Sequence, residues 1–277
     1  MYRALATGPI GVRVGLGQTI ALARANGFEG ISIEQSEIAE VGGPTVAARM
    51  LAASGLRAAN AGLPVDFRTT NEAFERGLEA LPAYAADLVT LGCDRVATWL
   101  LPASDTLPYE ENLALHRDRL GAAAAVLGRA GIRLGLEYVG PLPSRAGKRY
   151  PFIYDQAGLF TLIEAMAQPN VGILLDAWHW YTTGSNLGEL AALSNESVVL
   201  VHVNDAPAGV AVTEQQDLVR RMPGETGVID IAAFMQALAD MSYDGPVIVE
   251  PFSDWVRALA PAEAVQATAA SLARIWP

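Results

Sequence analysis

Four residues stand where a short apolar run gives way to a loop: Glu137 in GLEYVG, Asp176 in GILLDAWHWY, His202 in VVLVHVND and Glu250 in PVIVEPF. A carboxylate at the end of an apolar strand costs free energy unless it is paired or holds a cation. In a barrel of parallel strands such positions ring one mouth, the face where barrel enzymes do their chemistry. Three carboxylates and one imidazole converging there would bind one divalent metal ion. An oxygen-rich set with a single imidazole suits Mn²⁺ first, with Mg²⁺, Co²⁺ and Zn²⁺ also compatible. Asp176 alone would pass as a helix cap. Four instances on four successive runs point to a site.

Other residues could complete that site. His179 follows Asp176 by three and is either a donor to a substrate oxygen or an imidazole packed between Trp178 and Trp180. Glu34 also closes an apolar run, as a pocket wall or as the cap of the next turn. Trp99, Trp178, Trp180 and Phe252 sit at or after strand ends, where aromatic rings either wall a sugar site or fill the core. His116, in LALHRDRL, reads as solvent-facing and without function. Two long loops, 140–155 and 205–230, follow runs that carry site candidates. The first holds Arg145, Lys148 and Arg149, and the second holds Arg220 and Arg221. These cations would bind anionic or hydroxylated substrate atoms, or else are ordinary solvated charge. Gly15-Leu16-Gly17 lacks the third glycine of a dinucleotide fingerprint, since Ile20 stands there. Neither a phosphate-binding Lys-Ser/Thr loop nor a Gly-x-Ser-x-Gly elbow is present.

The elements that must carry these residues alternate along the chain. Strands are expected near 4–7, 30–34, 57–61, 95–99, 133–137, 172–175, 198–203 and 247–250. Helices are expected near 18–25, 44–53, 71–91, 109–130, 156–167, 187–193, 231–241 and 261–275. Eight of each is the count of a closed (β/α)8 barrel, and no composition break marks a linker. The expectation is one TIM-barrel domain over residues 1–277.

Bulk properties narrow the function. The 277 residues are 51% hydrophobic, ample for one large core, and carry a formal net charge of -11. Such a balance disfavours nucleic acid as a partner. The start of the chain lacks the pattern of a signal peptide, and no apolar run reaches membrane-spanning length, so a membrane is not expected as a partner. Cys93 is the lone cysteine, which fits a cytoplasmic location. Asn195-Glu196-Ser197 matches a glycosylation sequon by chance on this reading.

Taken together, GLEYVG, LDAWHW, HVNDAP, MPGETGVID and VIVEPF make the chain similar to the xylose-isomerase-like barrel superfamily of sugar phosphate isomerases and epimerases. Within it, the segment from 135 to 252 most resembles inosose (2-keto-myo-inositol) isomerases. The resemblance implies that Glu137, Asp176, His202 and Glu250 are metal ligands and that His179 contacts substrate. Arg220 or Arg221 takes the arginine role ahead of the Pro-Gly turn. That turn, Pro223-Gly224-Glu225-Thr226-Gly227, is one residue longer than the usual Pro-Gly-x-Gly. Ketose 3-epimerases carry a further Glu soon after the first ligand, where this chain has no acid between Val139 and Pro143.

The implied reaction is a metal-dependent isomerisation or epimerisation of a small polyhydroxy ketone through an enediolate. Glu137 and Glu250 move the proton, and His179 with an arginine steadies oxygen charge. Trp99, Lys148 and Glu34 are the remaining substrate-contact candidates. The runner-up is a lyase on the same scaffold, a keto-inositol dehydratase or a 3-keto-glycoside eliminase. A metal nuclease or a non-catalytic sugar-binding barrel ranks lower, because three histidines are too few for a multi-zinc cluster and all four ligands are present. A homo-oligomer stays open.

Overall fold

In a computed structural model, which describes residues 1–184 and 186–277, eight parallel strands close into a barrel. They are β1 (Tyr2–Leu5), β2 (Gly30–Ile33), β3 (Arg57–Gly62), β4 (Arg95–Trp99), β5 (Arg133–Glu137), β6 (Val171–Asp176), β7 (Val198–Val203) and β8 (Pro246–Val249). Each pairs with its neighbours in sequence, and β1 pairs with β8. The chain is therefore the TIM barrel that its alternating pattern predicts.

Registers decide which side chains meet at the mouth. Trp99 lies opposite Glu137 across β4 and β5, and Asp176 lies opposite His202 across β6 and β7. Side chains two apart on a strand share a face. Leu174 and Asp176, Leu200 and His202, and Ile248 and Glu250 thus point the same way, the apolar member one layer below the polar one. The barrel interior is a small cluster of Tyr2, Ala4, Ala59, Leu174, Leu200 and Ile248, with Ala6 and Ala97 against it. Branched side chains come from β6, β7 and β8, while β1, β3 and β4 supply alanines. The interior is consequently full on one side and low on the other. At the far end of the barrel, Arg95 donates to the Val199 carbonyl at 3.3 Å and to Asp244 at 3.3 Å, and Tyr243 donates to the Pro246 carbonyl at 3.0 Å.

Helices clothe the barrel. The helix Asn71–Leu91 buries Leu81, Tyr84, Ala85, Leu88 and Leu91, the three-and-four spacing of one apolar stripe. Burying each such Leu stabilises the fold by about 2 kcal/mol. Thr70 opens this helix by accepting from the Ala73 N–H, and Gly92 closes it at φ 69°, where a Cβ would be strained. Among the described residues no helix is long and apolar enough to cross a membrane.

The structure adds elements the patterns do not give. A helix, Ala177–Thr182, starts directly off β6 ahead of the expected one, which spans Leu187–Ala191. Further short helices follow β2 (Gln35–Glu40) and β8 (Asp254–Arg257). Ala103–Ser104 pairs antiparallel with Tyr150–Pro151, tying the loop after β4 to the long loop after β5. One expectation is corrected. His116 does not face solvent but lies in the buried stripe of the helix Tyr109–Arg129, together with Asn112, Arg119, Leu120 and Leu127. Its ring lies 5.6 Å from that of Phe67 and 4.9 Å from that of Phe152, and its Nδ1 is 2.9 Å from the Asn112 carbonyl. The charged neighbours in LALHRDRL mislead because Arg117 and Asp118 point to solvent, whereas Arg119, one turn on, is buried on the same face as His116.

Candidate metal and substrate site

At the C-terminal mouth, Glu137, Asp176, His202 and Glu250 each offer one ligand atom, and these atoms all lie within 4.8 Å of one another. His202 Nδ1 is 3.4 Å from Glu250 Oε2 and 3.7 Å from Glu137 Oε1. Both His202 Nδ1 and Glu137 Oε1 are buried without a hydrogen-bond partner. Buried polar atoms are rarely left so, and a cation between them satisfies both. Hard oxygens with one imidazole also fit a divalent ion. The donor set and its orphaned atoms therefore suit a metal.

Asp176 is held from several sides. Its Oδ1 accepts from the Trp178 N–H at 2.7 Å, which caps the new helix, and from Asn204 Nδ2 at 2.8 Å. Its Oδ2 accepts from Arg220 Nη1 at 2.7 Å. The same Nη1 reaches Glu250 Oε2 at 2.9 Å, while Nη2 reaches Asp217 Oδ1 at 3.0 Å. Arg220 is 2% exposed, with its guanidinium 5.4 Å from the Trp178 ring centre and 4.9 Å from that of Phe252. A buried guanidinium of this kind is stable only because three carboxylates surround it.

The loop that presents Arg220 hangs from Asp205, three residues beyond His202. The Asp205 carboxylate is fully buried and accepts four backbone N–H bonds, from Ala206 and Ile229 on one oxygen and from Thr226 and Gly227 on the other, at 2.8–3.0 Å. Its backbone also exchanges two hydrogen bonds with Arg221, at 2.9 and 2.8 Å. One carboxylate oxygen thus serves two successive N–H groups of the Pro223–Gly227 turn.

His179 is buried beside the four-residue cluster. The Gly140 N–H donates to its Nδ1 at 3.2 Å, so the neutral ring carries its proton on Nε2. That nitrogen faces Glu137 Oε1 at 3.8 Å, Asp176 Oδ2 at 3.9 Å and Asp217 Oδ1 at 3.9 Å. Gly140 must be glycine here, since a Cβ would lie 2.6 Å from Thr182 Oγ1 and 2.7 Å from the His179 carbonyl.

Electrostatics separate the two glutamates. Burial, then the charges of Glu250 and Asp176, push Glu137 well above the usual carboxylate range. Burial pushes Glu250 the same way, but His202 and Arg220 outweigh it and hold the group below that range. Asp176 behaves like Glu250, with Arg220 and the two imidazoles overcoming burial. His202 is raised because Glu250 outweighs burial, and His179 is lowered chiefly by burial.

The remaining candidates divide. Trp99 and Glu34 line a cavity of about 400 Å³ above the alanine side of the barrel, together with Glu137, His202 and Glu250. A second cavity of about 350 Å³ contains Trp99, His179, Asp217 and Arg220 and meets the first at Glu137 and Glu250. Glu34 is also a cap, because Glu37 Oε2 accepts from its N–H at 2.9 Å in a capping box. Arg221 turns away toward Glu225 at 3.9 Å and the Arg220 carbonyl at 3.0 Å, and Lys148 binds Asp105 at 2.7 Å on the outer surface. Of the two arginines, the structure brings Arg220 to the cluster. Trp180 packs on Phe234 as core. Asp217, Asn204 and Asp205 also meet at the site. The segment HVNDAP carries Asn204 and Asp205, whereas nothing in the sequence distinguishes Asp217 from other loop acids.

The sequence profile of xylose isomerase-like TIM barrels matches residues 20–275. The chain is a member of the xylose isomerase-like TIM barrel family. A xylose isomerase domain protein from Alicyclobacillus acidocaldarius superposes with a TM-score of 0.90 at 32% identity, over 99% of this chain and 98% of that one. The IOLI protein, solved with a zinc atom, shares the fold at TM-score 0.84 and 20% identity, over 99% and 98% of the two chains. Two curated family relatives differ in chemistry. A 3-dehydroshikimate dehydratase of Pseudomonas aeruginosa is 29% identical over 93% of this chain, and an inosose isomerase of Bacillus subtilis is 27% identical over 64%. The chain spans only 39% of the length of the first and 60% of the second.

Proposed function

We propose that this protein is a divalent-metal-dependent isomerase or epimerase of a polyhydroxy ketone. The observation that carries the reading is the pair of glutamates on either side of His202, both within the four-residue cluster and pushed in opposite directions by their surroundings. Carboxyls driven apart in this way are suited to acid and base roles. Glu137, Asp176, His202 and Glu250 would hold the ion, which when bound supplies Lewis-acid polarisation of a carbonyl and its neighbouring hydroxyl. Mn²⁺ is the first choice for this oxygen-rich set.

One glutamate removes a proton from the carbon beside the carbonyl, and the other returns it. Return to the same carbon from the opposite face gives an epimer, while return to the adjoining carbon gives an isomer. His179 Nε2–H and the Arg220 guanidinium face the same space and stabilise negative charge developing on substrate oxygen. Trp99 and Glu34 line the volume left for the rest of the substrate. Cys93, buried with its thiol pushed up to about 11 by burial, is a packing residue, in keeping with a cytoplasmic enzyme.

The dehydratase relative that aligns along 93% of this chain favours a second reading, elimination. The same proton leaves, and the hydroxyl on the next carbon takes a proton from a glutamate and departs as water. Incubation of the Mn²⁺-loaded protein with keto-inositols, ketoses and 3-keto glycosides in deuterated water, followed by NMR, tests both. Deuterium beside the carbonyl is the expected result, and an enone absorbance marks the elimination. Full exchange by metal-stripped protein would overturn the metal-dependent reading.

A further inference from the structure

Resting on that proton-transfer reading, we propose that the site selects an uncharged polyhydroxy ketone and works against phosphorylated or carboxylated ones. Beside the ligand cluster, the cavity of about 400 Å³ draws its further charge from Glu34 and Glu37, and among its described lining residues none is Lys or Arg. Its other polar groups are neutral. Ser32 Oγ donates to Asn60 Oδ1 at 2.7 Å, which leaves the Asn60 amide protons for a ligand oxygen. A substrate hydroxyl can donate to either carboxylate and accept from that amide. A phosphate or carboxylate can only accept, and it meets like charge.

The nearby cations already have protein partners. Arg220 is shared among Asp176, Glu250 and Asp217. Arg68 lies over the rings of Phe67 and Trp99 and donates to Thr98 Oγ1 at 3.3 Å. Arg145 donates to the Gly140 carbonyl and covers Tyr154, and Lys148 is paired with Asp105. Arg13 and Arg257 line a separate outer cavity whose shared wall contains Glu34 and Glu37, so an anion reaching out from the cluster meets the carboxylates first.

The test compares kcat/KM for solvent exchange, and binding by calorimetry, on three groups of probes. These are inososes and free ketoses, their phosphate monoesters, and the carboxylate 3-dehydroshikimate. The neutral group is expected to lead by about tenfold or more at low salt, with the ratio shrinking as ionic strength rises. The double variant Glu34→Gln, Glu37→Gln is expected to raise the anionic probes by about fivefold and to lower the neutral ones. A phosphate ester or 3-dehydroshikimate turned over as well as the neutral compounds sinks the charge selection while leaving the proton-transfer reading intact. Neutral compounds that bind preferentially without exchanging support the selection and defeat the proton-transfer reading. An unchanged ratio in the double variant overturns the role given to Glu34 and Glu37, and failure of every probe to bind overturns the proposal as a whole.

Discussion

The first four strands of the barrel and the last four end in different materials. Strands β5 to β8 deliver Glu137, Asp176, His202 and Glu250, above the branched side chains Leu174, Leu200 and Ile248. Strands β1 to β4 end in Ser32, Asn60 and Trp99 above Ala4, Ala59 and Ala97, with the carboxylates of Glu34 and Glu37 just beyond β2. One half carries the ligand cluster over a filled interior, and the other leaves open space with its carboxylates at the rim. The two histidines His116 and His202 show the electrostatic side of this contrast. Both are buried. His116, on the helix after β4, has no acid beside it and is pushed down to about 4 by burial, then by Arg68 and Arg119. His202 is driven upward because Glu250 outweighs burial. Burial alone does not set the charge of a side chain, whereas the partners that topology brings to it do.

The contrast breaks most severely at the glutamates. Glu250→Gln or Glu137→Gln is expected to lower kcat by about 10²–10⁴-fold, the usual reach of a positioned acid or base. Steady-state kinetics on the best substrate from the exchange assay checks this, and unchanged turnover in either variant would remove that glutamate from the mechanism.

His116 sharpens the contrast through stability. Its folded value lies below that of the unfolded chain, so the neutral ring stabilises the fold fully above pH 6.5. As pH falls from about 6.5 to 4 the unfolded chain takes up a proton that the folded one refuses, and up to about 3 kcal/mol is lost. Urea unfolding across that interval is expected to show a gentler decline in His116→Phe than in the parent. Parallel curves would show that the imidazole is not held neutral.

Loosening the filled half should act at a distance. Asp205→Asn replaces an oxygen that accepts two N–H bonds with an amide that cannot, and it is expected to cost about 10–100-fold in kcat/KM. In an Arg220→Met background the same change should add little, because both act on one guanidinium. Additive losses in that double-mutant cycle would show that Asp205 does not work through Arg220. The smallest effect belongs to the open half. Ala97→Leu places a branched side chain in the cavity and is expected to raise KM by about tenfold, with metal affinity held within about twofold. A calorimetric change in metal affinity larger than the change in KM would mean that the halves are not separable.

Much of this was legible in the chain itself. Glu137, Asp176, His202 and Glu250 each close a short apolar run, and a closed barrel leaves such positions one place to go. What the pattern did not supply depends on loop geometry. The choice between Arg220 and Arg221 turns on the Asp205–Arg221 pairing, a contact across sixteen positions with no periodicity. The helix Ala177–Thr182 is hidden because its sequence, AWHWYT, continues the apolar character of β6, and its start is fixed by Asp176 capping. The Lys148–Asp105 contact follows from the antiparallel pairing of Tyr150–Pro151 with Ala103–Ser104, two loop segments with no shared pattern in the sequence.

Arg220 gives the crowded rim an internal neutraliser that belongs to the polypeptide itself. The acidic groups it bridges need not confront one another bare while the chain collapses. On the metal-dependent reading, a freshly made molecule would reach its final shape before any dication arrives, and a chelator would strip the ion while leaving the fold intact.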